Sequence, residues 1–237
     1  MPRPQGRSQR RLHRRPLVAA ATIASAAALA AATGCNYISA AQYIIDGPPT
    51  VPAVADLQPD RPTVIFVDDR GYGDRNIIPK RALRRDIGRV AQQTLLDRGV
   101  VDEGMMIRSE DALRVASTES ADNPMSVVDI ARAVGADVVV YADVRAFTIS
   151  RDNSTVSPAA AARVKIFDAA NNQQIWPPDG GSHELVAQMP REPRDLTTLE
   201  RADEREAEQA LAAFVGLRLA QMFFEIERPS RLGTSER

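Results

Sequence analysis

The chain has 237 residues, of which 44% are hydrophobic, and this composition excludes a wholly disordered protein. Its net charge of −1, from 30 basic and 31 acidic residues, argues against a nucleic-acid-binding protein. A single cysteine and two histidines exclude a disulfide framework and a Cys/His zinc cluster.

The first 34 residues differ in charge from the rest of the chain. They hold six arginines and no acidic residue, which leaves 24 basic and 31 acidic residues, a net charge of −7, in residues 35–237. Residues 17–33 are uncharged and rich in alanine. A permanent transmembrane helix needs about 20 strongly apolar residues, and this run is shorter and weaker. Residues 1–34 are therefore predicted to be a cleaved export signal.

The only cysteine directly follows this signal. The sequence Ala32-Thr33-Gly34-Cys35 resembles the bacterial lipobox, in which small residues precede a cysteine that is acylated and becomes the new N-terminus, although Ala32 stands where that pattern usually has Leu. Cys35 is therefore predicted to carry lipid (palmitate), and several acyl chains would hold the protein stably on a membrane. The alternative is ordinary cleavage after Ala30-Ala31-Ala32, which would leave Cys35 free.

The export route stays open between two alternatives. Arg14-Arg15-Pro16-Leu17-Val18 is similar to a twin-arginine signal, and six arginines suit a general secretory signal equally well. Both routes end outside the cytoplasm.

Residues 35–61 are predicted to form the lipidated cysteine and a flexible tether, because four prolines and a glycine interrupt residues 47–59. An alternative is an arm that packs on the domain through its apolar residues, which are Tyr37, Ile38, Tyr43, Ile44 and Ile45.

Residues 62–228 are predicted to form a single domain. Residues 63–67 have the pattern of a strand buried on both faces. An apolar stripe then predicts a helix from Pro79 to a C-terminal glycine, Gly99. Residues 105–107 are a short strand candidate, residues 109–115 a short helix or turn, and a helix from Ser126 ends at a second glycine, Gly135.

The second half of the domain contains a hairpin and a long helix. Residues 138–149 predict a strand, residues 160–167 its return and residues 174–176 a further strand. Residues 199–226 predict the longest helix, and residues 229–237 a disordered tail. The order β-α-β-α-β-β-β-α predicts an α/β (α+β) fold, in which helices pack on a mixed β-sheet.

Two segments of this domain carry a family resemblance. A helix ends in Gly135-Ala136-Asp137 before a strand, and a later strand leads through Asp168 and a turn to Trp176. This pattern resembles the envelope proteins that include the curli-secretion lipoprotein, the lipoprotein activator of penicillin-binding proteins and the N-terminal domain of TolB. The resemblance implies a small α/β fold, a lipid anchor and a role as an interaction domain. The paired amphipathic hairpins of a pore are missing.

Three carboxylates form the main candidate site. Asp68 and Asp69 follow a buried strand, where α/β proteins place ligands, and with Asp74 they could chelate Mg²⁺. The alternative is three solvated carboxylates in a loop. Gly71-Tyr72-Gly73 lacks the spacing of a phosphate loop, and His183 has no second histidine in the mature chain, so no cofactor is predicted.

Two further features have both a functional and a structural interpretation. Trp176 lies in an apolar strand, which favours core packing over an exposed binding role. A basic helical face is suited to an anionic partner or lipid headgroups, and the alternative is a solvated face; it comprises Lys80, Arg81, Arg84, Arg85 and Arg89.

Two functional hypotheses follow. The first is a non-catalytic, lipid-anchored envelope protein, whose periplasmic domain binds a protein partner or copies of itself and no nucleic acid. The second is an exported metal-assisted hydrolase that uses Asp68, Asp69 and Asp74.

Overall fold

The computed structural model describes residues 50–69, 77–78, 80–119, 124–152, 155–189, 192–193 and 201–227. One compact unit spans Val51–Ile226. The other unit comprises Met1–Thr50 and Glu227–Arg237, and only Thr50 and Glu227 of it are described. Cys35 and Asp74, two residues singled out from the sequence, lie outside the described residues, as does the Gly71-Tyr72-Gly73 stretch.

The described helices and strands follow the predicted order with additions. The helices are α1 (Arg81–Asp97), α2 (Ser109–Ala116), α3 (Val127–Ala133) and α4 (Arg201–Ala220), with 3₁₀ turns at Glu103–Met105 and Gln221–Phe223. The strands are β1 (Thr50–Val51), β2 (Thr63–Asp68), β3 (Met106–Ile107), β4 (Val138–Asp152), β5 (Thr155–Asp168), β6 (Gln173–Trp176), β7 (His183–Gln188), β8 (Glu192–Pro193) and β9 (Ile226–Glu227).

The main sheet is mixed. Strand β2 pairs in parallel with β3 on one side and with β4 on the other. Strands β4 and β5 form a long antiparallel hairpin with a bulge between Val144 and Ala146. Strands β6, β7 and β8 all pair with β5 in antiparallel fashion. The predicted fold class, a mixed sheet with helices packed on it, is confirmed.

Helices cover both faces of the sheet. On the first face α1 and α4 pack on the strands and form the larger core, whose fully buried members include Ile65, Ile87, Leu95, Leu211 and Leu219. On the second face α2 and α3 enclose a smaller core that includes Val64, Phe66, Ala112, Ile130 and Val139. Side chains alternate along β2 between the two cores, so burial on both faces explains its uninterrupted apolar sequence.

The predicted helix termini are confirmed in two places. The Ser126 hydroxyl accepts a hydrogen bond from the Asp129 backbone N–H at 3.1 Å, which caps α3. Gly99 and Gly135 follow α1 and α3 with φ of 64° and 78°. Left-handed φ values of this kind strain any residue with a Cβ, which is why glycine ends these helices.

Helix α1 is in tight contact with a helix on each side. A Cβ at Gly216 of α4 would lie 2.5 Å from the Ile87 carbonyl oxygen, and a Cβ at Gly88 would lie 1.9 Å from Oγ of Ser109 at the start of α2. Both distances are far below van der Waals contact, so the two glycines permit the close approach of α4 and α2 to α1.

The end of the predicted tether packs on the domain. The backbone N–H groups of Val54 and Ala55 donate to the Met222 carbonyl at 2.7 and 3.1 Å. Ala55 is buried in the larger core and Leu57 packs against it. Residues 52–61 therefore contribute to the domain, since Ala55 and Leu57 bury apolar surface there. In the part of the chain that the structure describes, no helix combines the length and hydrophobicity needed to cross a membrane.

Candidate functional site

The carboxyl end of β2 holds two buried aspartates. Asp68 is 3% exposed and Asp69 is 1% exposed. The alternative of solvated loop carboxylates is therefore wrong for these two residues: Asp68 pairs with a residue of strand β4, and Arg84 of α1 contacts Asp69. Buried carboxylates need polar partners, and the side-chain partners of these two include Tyr141 and Arg84.

Asp68 lies in a polar row that crosses two strands. Its register partner in β4 is Asp143, and the Tyr141 hydroxyl donates to Oδ2 of Asp68 at 3.1 Å. The Tyr141 ring is held against Phe66, with ring centroids 5.9 Å apart. The second core thus orients the hydroxyl that binds Asp68. We call Asp68, Asp69 and Asp143 the carboxylate cluster.

Asp69 is paired on one oxygen only. Nη1 of Arg84 donates to Oδ1 at 2.6 Å, whereas Oδ2 is buried and has no hydrogen-bond partner among the described residues. Burial raises the pKa of the Asp69 carboxyl above its ordinary value; the Arg84 guanidinium and the Ile78 backbone N–H lower it, and nearby Asp68 raises it. The net effect is upward, so ionised Asp69 is destabilised in the folded protein.

Asp143 has a similar environment. Nη2 of Arg145 contacts Oδ2 at 2.5 Å, while Oδ1 is buried and without a hydrogen-bond partner in the described part of the chain. Burial is the main cause that raises the pKa of Asp143; Arg145 lowers it and the neighbouring Asp68 charge raises it. Carboxylates placed opposite each other on neighbouring strands repel, which makes this end of the sheet electrostatically unfavourable.

The described residues do not form the predicted metal site. Asp74 lies outside the described ranges, so its position relative to Asp68 and Asp69 stays untested. Across the described residues no three Asp, Glu, His or Cys side chains converge on a point that could hold a metal ion. Asp68 and Asp69 are instead engaged with Tyr141 and Arg84, which gives no support to the metal-assisted hydrolase.

A cleft of about 600 Å³ opens beside the carboxylate cluster. Strand β2 is followed by α1 on the first sheet face, whereas β3 is followed by α2 and α3 on the second face. Connections that diverge in this way leave a crevice at the carboxyl ends of the strands, where open α/β sheets bind ligands. Its charged lining is formed by Asp68, Asp69, Arg81, Arg84, Arg85, Glu110 and Arg114.

The predicted basic face is divided between two roles. Arg84 points inward to Asp69, with its side chain 17% exposed, whereas Arg85 and Arg89 are more than half exposed. Lys80 pairs with Glu208 of α4. The face is thus partly structural, and only its outer members are available to an anionic partner.

Trp176 and His183 lie together away from the cleft. Trp176 packs against the larger core, as predicted, and its ring centroid is 5.2 Å from that of His183. His183 is only partly exposed, because it begins β7 and stacks beside the tryptophan. Neither residue lies at the carboxylate cluster.

Sequence reasoning missed Asp143 and its partners. A usable signal was present, since two buried apolar runs, residues 63–67 and 138–142, are each followed directly by an aspartate, Asp68 and Asp143. Parallel pairing of two such strands in register brings the aspartates side by side. The pairing itself depends on a connection of about 70 residues, which no local pattern specifies.

No protein-family model and no curated protein matches the chain. Solved structures with some likeness include the PelC dodecamer from Paraburkholderia phytofirmans, with 12% identity and a TM-score of 0.38 over 73% of this chain and 94% of that chain. The hypothetical protein CT253 from Chlamydia trachomatis gives 18% identity and a TM-score of 0.38, over 69% and 91% of the two chains.

Lipoprotein GNA1162 from Neisseria meningitidis is also similar, with 14% identity and a TM-score of 0.36 over 63% of this chain and 94% of that chain. TM-scores this low do not establish a shared fold, so function has to be inferred from the residues of this chain. Membership of the envelope group named above stays a prediction.

Proposed function

We propose that this protein is an exported lipoprotein of the bacterial envelope, anchored through Cys35, whose domain binds a protein partner or copies of itself. The observation that carries the proposal is the order of the N-terminal features: six arginines without an acid, an alanine-rich run and Ala32-Thr33-Gly34-Cys35. The sole cysteine of the chain stands at the one position where such a signal requires a thiol.

The distance from anchor to domain supports this arrangement. The compact unit begins at Val51, so residues 36–50 would connect it to Cys35. Fifteen residues span at most about 50 Å when fully extended. A domain on such a connection stays near the membrane surface, within reach of other envelope proteins.

The far edge of the sheet supports a binding role. Ile175 of β6 and Val186 of β7 are 42% and 57% exposed, unusual values for large apolar side chains in strands. In the described part of the chain, neither strand has a further strand beyond it. An edge strand with free backbone groups and apolar side chains can add a strand from another chain. A partner protein or a second copy would cover the exposed apolar side chains and pair with the free backbone groups of the edge.

Anchoring is tested by moving the thiol. The Cys35→Ser variant loses its substrate for acylation, so we expect no incorporation of a palmitate analogue and release of the protein into the soluble envelope fraction. A matched control, Cys35→Ser with Ser39→Cys, keeps one thiol four residues downstream and should behave like Cys35→Ser. Retention of either variant in the membrane fraction, with label incorporated, would contradict the anchor.

Binding through the sheet edge is tested by photocrosslinking in intact envelopes. A crosslinking residue at position 186 should capture a defined partner or a second copy. The same residue at position 54 serves as the control, because Val54 is 45% exposed and belongs to neither strand; its backbone N–H donates to Met222 instead. Equal crosslinking at the two positions, or none at 186, would contradict this surface.

A further inference from the structure

The cleft beside the carboxylate cluster is the feature that the proposed function leaves unexplained. Its volume of about 600 Å³ is within the range of small-molecule sites, and it lies at the point where the sheet connections diverge. It is also remote in sequence from β6 and β7, which carry the proposed interaction edge. The cleft therefore has to be considered as a separate site.

The charges around the cleft favour an anion. Four of its lining side chains are arginines and three are carboxylates, a net positive lining in a chain whose residues 35–237 carry a net charge of −7. Arg84 and Arg114 are paired with Asp69 and Asp111, so the cations offered to a ligand are Arg81 and Arg85. The Arg81 side chain is exposed and makes no hydrogen bond or ion pair with other described residues. Among the described residues, the Arg85 side chain is paired with Glu110 alone, at 3.8 Å, and both side chains are about half exposed. Such a pair is weak, so Arg85 can turn towards a ligand at little cost.

The start of α1 adds to this positive potential. Lys80 at the N-cap position makes no side-chain cap, and the first turn has no acidic residue. Helices usually place acids in this turn, because the helix dipole and the free N–H groups favour negative charge there. Here Arg81, Arg84 and Arg85 occupy the first turns instead, which leaves the N–H groups and the cations to act together on one anionic group.

A second observation points to a ligand with a hydrogen-bond donor. Asp69 lines the cleft and is 1% exposed, and its Oδ2 has no hydrogen-bond partner in the described residues. A buried carboxylate oxygen without a donor is costly, and a donor from a bound ligand would remove that cost. A hydroxyl group on the ligand is suited to this role.

We propose that the cleft binds a phosphorylated polyol, with its phosphate at the start of α1 between Arg81 and Arg85 and a hydroxyl that donates to Oδ2 of Asp69. Two sources share this chemistry: the glycerol-type headgroup of an anionic phospholipid and a free sugar phosphate. The site does not depend on Cys35 or on the β6–β7 edge, so it stands or falls independently of the proposed function.

Calorimetric titration of the purified full chain in non-ionic detergent at low salt tests the site. Glycerophosphoglycerol serves as the headgroup probe and glucose 1-phosphate as the sugar phosphate probe. Saturable binding of either supports the proposal, and the tighter of the two identifies the source. Inorganic phosphate lacks the carbon-borne hydroxyls and should bind more weakly. Absence of binding by both polyols, or equal binding of inorganic phosphate, would overturn it.

Variants on α1 separate a site from a general charge effect. Arg81→Gln and Arg85→Gln should each weaken binding about tenfold or more, because each loses a charge-assisted hydrogen bond. Arg89→Gln is the matched control: Arg89 is on the same helix and 63% exposed, but it does not line the cleft. Weakening by Arg89→Gln equal to that of Arg81→Gln would overturn the proposal.

Asp69→Asn provides a change of opposite direction. The amide NH₂ that replaces one carboxylate oxygen can donate to the ligand hydroxyl, so the polar contact is kept with its direction reversed. The variant also removes the negative charge beside the phosphate and leaves Arg84 without its charged partner, so binding of the anion should tighten several-fold. A change in fold alone would weaken binding. Unchanged or weaker binding by Asp69→Asn, in a variant whose circular dichroism matches that of the parent, would contradict the placement of the phosphate.

Discussion

Buried aspartates at the two ends of the central sheet differ in how completely their carboxylate oxygens are hydrogen-bonded. At the amino end of β2 and β4, Asp168 accepts hydrogen bonds from Nη2 of Arg61 at 3.0 Å and from the backbone and side chain of Asn171 at 2.9 and 3.0 Å. The Asn171 backbone N–H, the Asn171 side chain and Arg61 hold the pKa of Asp168 below its ordinary value. At the carboxyl end of β2, Asp69 and Asp143 each keep an oxygen without a donor among the residues that the structure describes.

This difference is consistent with the proposed ligand site, which lies at the end of the sheet where the buried aspartates are incompletely paired. Proteins tolerate unfavourable burial where function requires it and satisfy polar groups elsewhere. The carboxyl end combines two carboxyls of raised pKa, a basic helix start and a cleft. The amino end has none of the corresponding features among its described residues, although its aspartate is equally buried.

The largest loss of stability is expected from removing the Asp168 carboxylate at the amino end of the sheet. Asp168→Ala removes three hydrogen bonds and leaves Arg61, 24% exposed, without its carboxylate. We expect the free energy of unfolding at pH 7 to fall by about 2–4 kcal/mol in urea titrations. The control is Asp60→Ala, an exposed position beside Arg61 that should change stability by less than about 0.5 kcal/mol. Comparable losses in the two variants would contradict the stabilising role assigned to the hydrogen bonds of Asp168.

The ion pair at the carboxyl end should be sensitive in a different way. Arg84→Met leaves Asp69 buried beside no cation, and we expect a loss of about 1–3 kcal/mol, limited because Asp69 can take up a proton. Adding Asp69→Asn removes the uncompensated charge and should restore part of the loss. A double-mutant cycle from urea unfolding measures the coupling. A double variant that is less stable than Arg84→Met would disprove the idea that the uncompensated charge of Asp69 causes the loss.

The two ends should also respond to pH with opposite sign. Asp143 has a pKa raised from 3.8, so its stabilising contribution is complete below that value and is lost as pH rises through the folded pKa. Asp168 has a pKa lowered from 3.8, so its contribution is present above that value and is lost as pH falls through the folded pKa.

Unfolding midpoints measured from about pH 3 to pH 7 test this pair of signs. Asp143→Asn should flatten the decline in stability above pH 4, and Asp168→Asn should flatten the decline below it. If either variant changes the other side of the curve instead, the assigned direction of its pKa shift is incorrect.

The smallest expected effect is a gain in stability from a change that should abolish ligand binding. Arg81→Glu places an acid in the first turn of α1, which the helix dipole favours by about 0.3–1 kcal/mol. Arg89→Glu, beside Asp86 in the middle of the helix, should instead lower stability slightly. Thermal unfolding without ligand measures both. A loss of stability in Arg81→Glu would show that Arg81 stabilises the fold.

Much of the fold could be predicted from local patterns. The apolar run of β2, the stripe of α1 and the glycines at positions 99 and 135 each specify an element without reference to distant residues. Strand β7 was missed because its short alternation of Leu185 and Ala187 with exposed residues is convincing only beside its partner β5.

The candidate site was only half predictable. The positions of Asp68 and Asp69 at a strand end follow from the sequence, but their burial does not, since it depends on how α1 packs and on Arg84 turning inward. The pairing of Asp68 with Asp143 depends on strand register across the sheet. A sequence shows that Asp69 follows a buried strand, but it does not show that Arg84 is the cation that pairs with it.

The close contacts at Gly88 and Gly216 have a consequence for tracing the ancestry of this chain. Any homologue that keeps this helix arrangement needs a very small residue at both positions, whatever happens to the surface. Together with Asp68 and Asp143, which face each other on neighbouring strands, they define a sparse fingerprint of four positions. Such a fingerprint can be compared between chains whose overall identity has become too low to align, and a homologue with a bulky residue at either glycine would show that the helices can separate.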